Sequence, residues 1–135
     1  MIRGSCLCGR VRYEIRGTLG PMTHCHCSQC RKAHGAAFGT YARVSYADFR
    51  LLTGEDDVAS YRSSSDVLRT FCKRCGSTLQ FIRESKPDGF YLAIGGLDDD
   101  PGSRPSHHIF VGSKAPWFEI TDGLAQHLQR RPIVT

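Results

Sequence analysis

The chain has 135 residues, 40% of them hydrophobic, and a formal charge of +5 at pH 7. This length predicts one domain over residues 1–135 with a sizeable core, and no apolar run approaches the roughly 20 residues of a membrane helix. The first residues also lack the apolar segment of a secretory signal, so we expect a cytoplasmic, reducing location and no membrane partner.

Short strands separated by turn residues dominate the chain. Near the N-terminus, Val11, Tyr13 and Ile15 alternate with polar residues, which is the pattern of a strand with one buried face. Later segments repeat this pattern between Gly, Pro, Ser and Asp clusters. Strands are predicted over residues 10–15, 22–27, 37–44, 49–53, 58–62, 67–71, 78–82, 90–94 and 107–111.

Helical signals are few. Ser28 is expected to cap a short helix that contains Cys30 in its first turn, and the spacing of Ser45 and Asp48 predicts one helical turn. Residues 124–129 predict a terminal helical turn. The chain is therefore predicted to be mainly β, with one or two short helices.

The seven cysteines are the most informative feature, because all of them fall in C-x-C or C-x-x-C groupings. An odd number does not fit a closed set of disulfides, whereas these spacings are typical of zinc ligands. Two Zn²⁺ bound to seven thiolates would add four positive and seven negative charges, which lowers the net charge to about +2. The charge therefore gives little support for a nucleic-acid partner.

Two half-sites far apart in the chain predict a structural zinc. Cys6-x-Cys8 and Cys72-x-x-Cys75 together supply four thiolates, the closed tetrahedral set of structural sites, and Gly76 follows where the chain must reverse. Removal of this ion is expected to unfold the protein. The alternative is four reduced, buried cysteines without metal.

The segment between these half-sites contains Cys25-x-Cys27-x-x-Cys30, which supplies only three ligands. In an extended chain Cys25 and Cys27 share one face, so both sulfurs can bind one ion while His26 points away. Catalytic zinc usually keeps three protein ligands and an exchangeable fourth position. Three thiolates make the ion a mild Lewis acid, which suits the binding of a small thiol.

Other interpretations of the second cluster remain open. It is also compatible with a second structural site that His24 or His34 closes, or with a redox-active or metal-free cysteine cluster. His107 and His108 are expected at the surface or in packing rather than at the site. Trp117, with Phe118, is expected to be a core anchor rather than a platform for ligand stacking.

Four segments carry a resemblance to a known family. They are GSCLCGRVRYEI from residue 4, HCHCSQCRKAHGAAFGTYARV from residue 24, FCKRCGSTL from residue 71 and HHIFVGSKAPWFEI from residue 107. Together they resemble the glutathione-dependent formaldehyde-activating enzyme family, which also includes centromere protein V. The resemblance spans nearly the whole chain.

The resemblance implies a β-tent fold of small antiparallel sheets around a structural zinc. It also implies formation or breakdown of S-hydroxymethylglutathione, a carbon–sulfur lyase reaction. The cysteines that match the structural ligands are Cys6, Cys8, Cys72 and Cys75, and those that match the ligands of a second, catalytic zinc are Cys25, Cys27 and Cys30.

Three functional hypotheses follow. The first is a zinc-dependent carbon–sulfur lyase that acts on an adduct of glutathione, or of another small thiol, with formaldehyde or a related carbonyl. The second is a non-catalytic module with two structural zinc ions that serves a macromolecular partner. The third is a thiol redox protein that forms a reversible disulfide between Cys25 and Cys30. The oligomeric state stays open.

Overall fold

The computed structural model describes residues 1–130, so residues 131–135 of the predicted domain lie outside the described part. Within residues 1–130, no helix is both long enough and apolar enough to cross a membrane. The elements are β1 (Ile2–Ser5), β2 (Arg12–Ile15), β3 (Met22–Cys25), α1 (Ser28–His34), β4 (Gly39–Ser45), β5 (Phe49–Thr53), β6 (Val58–Arg62), β7 (Val67–Cys72), β8 (Thr78–Arg83), β9 (Gly89–Ala93), β10 (His107–Ile109) and β11 (Ala125–Gln126).

The strands form two sheets. A three-stranded sheet has the order β1-β2-β5, and a larger sheet has the order β11-β10-β3-β4-β9-β8-β7-β6. All pairings are antiparallel except those of β10 with β3 and with β11, which are parallel. The predicted mainly β architecture with one or two short helices is confirmed: the described residues form one α-helix, and single 3₁₀ turns join several strands.

The main core contains side chains from both sheets. Tyr13 and Ile15 of β2 are buried, as their alternation with polar residues predicts. Across from them, Phe90 is fully buried, and its ring centroid lies 4.9 Å from that of Phe49. Burial of each large apolar side chain contributes roughly 1.5–3 kcal/mol. This core holds β7 and β9 behind the cysteine-bearing loops.

The strand predicted from the alternation of Val11, Tyr13 and Ile15 is β2, and a strand that was not predicted, β1, precedes it across a turn. β1 pairs with β2 in antiparallel register, from Ile2 opposite Ile15 to Ser5 opposite Arg12. The chain reverses in the loop that carries Cys6 and Cys8. Because the loop belongs to a hairpin, both cysteines lie at one end of the small sheet.

The helical turn predicted over residues 124–129 is wrong. Ala125 and Gln126 form β11, which pairs in parallel with β10. The backbone N–H of His127 also donates to the carbonyl oxygen of His108 at 3.0 Å. These tertiary hydrogen bonds satisfy the backbone and therefore outweigh the weak local helix preference.

Candidate metal centres

Four cysteines from distant parts of the chain meet at the end of β7, and we call them the four-cysteine group. The sulfur atoms of Cys6, Cys8, Cys72 and Cys75 all lie within 4.8 Å of one another. Two of the S–S distances are 3.5 Å, for Cys6 and Cys8, and 3.8 Å, for Cys8 and Cys72. Ligands of a tetrahedral zinc with Zn–S bonds of ~2.3 Å are about 3.8 Å apart, whereas a disulfide requires ~2.05 Å. The donor set and its spacing therefore fit a zinc ion.

Hydrogen bonds from nearby residues prepare this group for metal. The backbone N–H of Val11 donates to Cys6 Sγ at 3.3 Å. Ser77 Oγ lies 3.2 Å from Cys75 Sγ, and hydrogen bonds from Ser77 lower the pKa of Cys75 to about 5. Gly76 has a φ of +79°, which is the tight reversal that the sequence predicts. The thiolate form of Cys75, which binds metal, is therefore favoured.

The remaining three cysteines form a second cluster, the three-cysteine group. Cys25 ends β3, Cys27 directly precedes α1, and Cys30 lies in the first turn of α1. Their sulfur atoms lie within 4.8 Å of one another, and no fourth cysteine, histidine or acidic side chain among residues 1–130 joins them. Cys25 and Cys30 are buried, and Cys27 is half-buried. Three thiols in this arrangement fit a zinc ion with one exchangeable position.

Cys27, rather than the predicted Ser28, caps the helix. Its Sγ accepts a hydrogen bond from the backbone N–H of Cys30 at 3.3 Å, and Ser28 is the exposed first residue of α1. The prediction is therefore wrong by one residue, because a sulfur takes the capping role of a hydroxyl. Hydrogen bonds from Cys25 and then from Cys30 lower the pKa of Cys27 to about 2, so Cys27 is the favoured thiolate of the group.

A buried arginine contacts the three-cysteine group from β7. Arg69 is only 8% exposed, and its Nη1 and Nη2 lie 3.9 and 3.8 Å from Cys30 Sγ. Its Nη1 also donates to Tyr41 Oη at 3.5 Å, and its Nε donates to Ser63 Oγ at 3.2 Å. Burial by itself lowers the pKa of Arg69, but its interactions with Cys30 and then with Tyr41 raise that pKa above its ordinary value.

The two histidines considered as a fourth ligand, His24 and His34, have other partners. His24 Nδ1 lies 2.8 Å from Thr40 Oγ1, and His34 Nε2 lies 2.6 Å from Tyr41 Oη. Neither ring is part of the sulfur cluster. The arrangement therefore favours an open site over one that a histidine closes.

His26 points away from the sulfur atoms, as predicted. It is fully buried, and its Nε2 lies 2.8 Å from His108 Nδ1. The other nitrogen of His108 lies 3.0 Å from both carboxylate oxygens of Asp122. Burial, and then the charge of His108, lower the pKa of His26 to about 4, so this ring is neutral. His107 and His108 are both buried, so of the two expected positions, surface or packing, they occupy packed ones.

Trp117 is not the core anchor that the sequence predicts. Its side chain is 69% exposed and lines a cleft of about 540 Å³ with Lys114 and Glu119. Phe118 is half-buried and also lines the cleft, and its ring centroid lies 5.5 Å from that of Phe38. Of the predicted pair, therefore, only Phe118 packs against the interior, whereas Trp117 is largely exposed.

Sequence reasoning missed three residues of this region: Arg69, Tyr41 and Asp122. A signal existed for Arg69, because the two-residue period of β7 places it on the face that also carries Val67, which is buried. A charged residue on such a face is unusual unless it has a partner. Asp122 gave no comparable signal, since it lies in a loop outside any strand.

A sequence model of the glutathione-dependent formaldehyde-activating enzyme family matches residues 1–113. The chain belongs to this family. All seven cysteines and Arg69 lie inside the region that the family shares, whereas Trp117 and Asp122 lie beyond it.

Two relatives add to the family match. A Schizosaccharomyces pombe protein named an uncharacterized lyase is 27% identical over 89 residues, which is 66% of this chain. The chain spans 63% of the length of that curated relative. A crystal structure of a Rhodobacter sphaeroides protein superposes with a TM-score of 0.62 at 25% identity, covering 76% of this chain and 97% of the other.

Proposed function

We propose that this family member is a zinc-dependent, carbon–sulfur lyase-like enzyme that acts on adducts of glutathione, or of another small thiol, with formaldehyde or a related carbonyl. The observation that carries the proposal is the three-cysteine group, whose sulfurs gather within 4.8 Å without a fourth ligand among residues 1–130. Family membership and the lyase name of the fungal relative support this class of reaction.

The two cysteine groups would hold ions with different tasks. We assign the structural zinc to Cys6, Cys8, Cys72 and Cys75, and the second zinc to Cys25, Cys27 and Cys30. When bound there, the second ion supplies an open coordination position at which a small thiol loses its proton near neutral pH.

The chain itself orients this position. β3 fixes Cys25, α1 fixes Cys30, and Cys27 caps the start of α1, so the three donors lie on two rigid elements and the two-residue segment that joins them. Two of the three donors are buried, which leaves the half-buried Cys27 on the side open to a substrate. A preformed donor set limits the reorganisation that substrate binding requires.

The proposed reaction balances without an oxidant or reductant. In the synthetic direction, the sulfur of the thiol forms a bond to the carbonyl carbon, and the carbonyl oxygen takes up the proton that the thiol loses. Cleavage breaks the same C–S bond and returns the proton to sulfur. A bound thiol that is already deprotonated is ready for the first of these steps.

A comparison of variants tests this function. Turnover of the glutathione–formaldehyde adduct is measured above the spontaneous reaction for the wild type, Cys27→Ala and Ser28→Ala. We expect Cys27→Ala to abolish the enzymatic excess, and the neighbouring exposed Ser28→Ala to retain it. Equal turnover in the wild type and Cys27→Ala would refute the proposed mechanism.

The same proteins distinguish the two alternatives. A non-catalytic module with two structural ions requires a protein side chain as the fourth ligand of the second ion, and the partners of His24 and His34 oppose this role. A redox protein requires a reversible Cys25–Cys30 disulfide with loss of zinc. The cytoplasmic location and the absence of a nucleic-acid partner remain predictions.

A further inference from the structure

Arg69 is a buried cation whose charge needs an explanation. It lies inside β7, at 8% exposure, and within residues 1–130 it forms no ion pair with a carboxylate. A buried charge without an opposite charge is strongly unfavourable, and proteins rarely retain one. The anion that compensates Arg69 must therefore come from some other group.

The contacts of Arg69 identify that group. Its two terminal nitrogens lie 3.8 and 3.9 Å from Cys30 Sγ, and its guanidinium carbon lies 4.8 Å from the ring centroid of Phe81. Tyr41 and Ser63 supply neutral oxygen acceptors. Since a phenol and a hydroxyl are uncharged at neutral pH, the one contact of Arg69 that becomes anionic when the group holds a metal ion is the Cys30 sulfur.

We propose that Arg69 is the built-in countercharge of the three-cysteine group and that it makes this centre select an anionic sulfur ligand. The inference rests on the second metal centre of the proposed function, but not on turnover. Arg69 contacts no reacting atom in this role and is a positioning residue, because it acts through Cys30.

The charge count explains the selectivity. Three thiolates and one divalent ion carry about one negative charge, which the guanidinium neutralises. A thiolate in the fourth position then restores about one negative charge, whereas without Arg69 the buried centre would carry about two. A neutral fourth ligand changes neither total. Arg69 therefore favours a thiolate over a neutral ligand of similar size.

The chain offers a matched control in Arg43. Its guanidinium carbon lies 5.1 Å from the ring centroid of Tyr91, and it donates to the carbonyl oxygen of Lys86 at 3.1 Å. Both arginines thus project from a strand of the same sheet and pack on an aromatic ring. Only Arg69 contacts a cysteine sulfur, so the pair separates the charge at the site from general packing.

The first test measures zinc affinity, by competition with a chromophoric chelator, in the wild type, Arg69→Met, Arg69→Lys and Arg43→Met. We expect two zinc ions in every protein. In Arg69→Met the zinc affinity of the three-cysteine group should fall about 10–100-fold, as is usual when a partner of a metal ligand is lost. Arg69→Lys, which keeps the charge, should lose less than Arg69→Met, and Arg43→Met should match the wild type.

The second test measures ligand selectivity on the cobalt-substituted proteins by their absorption spectra. The probes are 2-mercaptoethanol, a thiol without carboxylates, and imidazole, a neutral ligand. We expect Arg69→Met to weaken mercaptoethanol binding at least tenfold more than imidazole binding. An equal loss for both probes would overturn the claim of selectivity.

The remaining outcomes are also decisive. If Arg69→Met binds the second zinc as tightly as the wild type, or if Arg69→Lys is as weak as Arg69→Met, the countercharge role is wrong while the proposed function stands. A wild type that binds only one zinc overturns both. If Arg69→Met fails to fold, Arg69→Lys decides: a folded protein with two ions supports the inference, and a protein without the second ion contradicts it.

Discussion

The two cysteine groups use the same donor atom in different surroundings. The four-cysteine group joins the loop after β1 to the turn after β7, and one of its members, Cys8, is exposed. The three-cysteine group lies in one short segment around the start of α1, beside the buried Arg69. A group that joins distant segments restrains the whole chain, whereas a group within one segment restrains very little. The first therefore suits stability, and the second suits chemistry.

The largest effect is expected from loss of the first ion. Structural zinc contributes roughly 10–16 kcal/mol in small zinc-binding peptides, which is comparable with the ~5–15 kcal/mol net stability of a domain. Cys72→Ala, or excess chelator, should therefore abolish cooperative unfolding. The check is a thermal melt with and without chelator, and an unmoved melting curve would show that the four-cysteine group does not hold the fold.

A smaller loss is expected behind the three-cysteine group. His108→Leu removes the partner of His26 Nε2 and of Asp122, and leaves a buried polar atom unpaired. We expect a cost of about 1–3 kcal/mol in urea unfolding. His127→Leu, at a half-buried position directly after the neighbouring strand β11, is the control and should cost less. Equal losses of unfolding free energy in the two variants would show that the His26–His108 pair does not stabilise the fold.

Removal of the helix cap should separate the two groups most clearly. Cys27→Ala loses a capping hydrogen bond worth ~0.5–2 kcal/mol and the second zinc, yet it should keep the first zinc and a cooperative melt. Metal analysis of the purified variant should give one zinc per chain instead of two. Global unfolding of this variant would show that both groups serve stability, which would erase the contrast between them.

The smallest effect is expected far from both groups. Asp66 accepts hydrogen bonds from Ser85 and Arg83, and these interactions, those of Ser85 first, lower the pKa of Asp66. Because the pKa of Asp66 is lower in the folded state, its carboxylate stabilises the fold at any pH above the unfolded-state pKa. This stabilisation is lost as the pH falls through the folded-state pKa. Asp66→Asn should therefore cause the same small destabilisation at pH 7 and at pH 5. A difference that disappears between these values would contradict this.

The cysteine spacings predicted much of the site, and the reason is physical. Cysteines two residues apart in an extended chain, or three apart at the start of a helix, point to the same side of the backbone. Their sulfur atoms can therefore bind one ion without help from distant parts of the chain. The buried face of β2 was predictable in the same way, because Tyr13 and Ile15 alternate with polar neighbours. Local periodicity was sufficient for such features.

Features that depend on distant contacts were not predictable. β11 forms because the backbone of Ala125 and Gln126 pairs with β10, and no local sequence pattern predicts this pairing. The strand period places Arg69 on a buried face but does not identify its partner, because Cys30 is 39 residues away in the chain. Trp117 is apolar and was expected in the core but is exposed, whereas its half-buried neighbour Phe118 packs on Phe38.

Anomalous diffraction at the zinc edge, on crystals grown with and without glutathione, tests most directly whether the two cysteine groups differ as proposed. We expect two ions per chain: one enclosed by four cysteines in both crystals, and one held by Cys25, Cys27 and Cys30. The second ion should take the glutathione sulfur as its fourth ligand. A protein side chain in that position in both crystals, or a single ion per chain, would contradict the proposal.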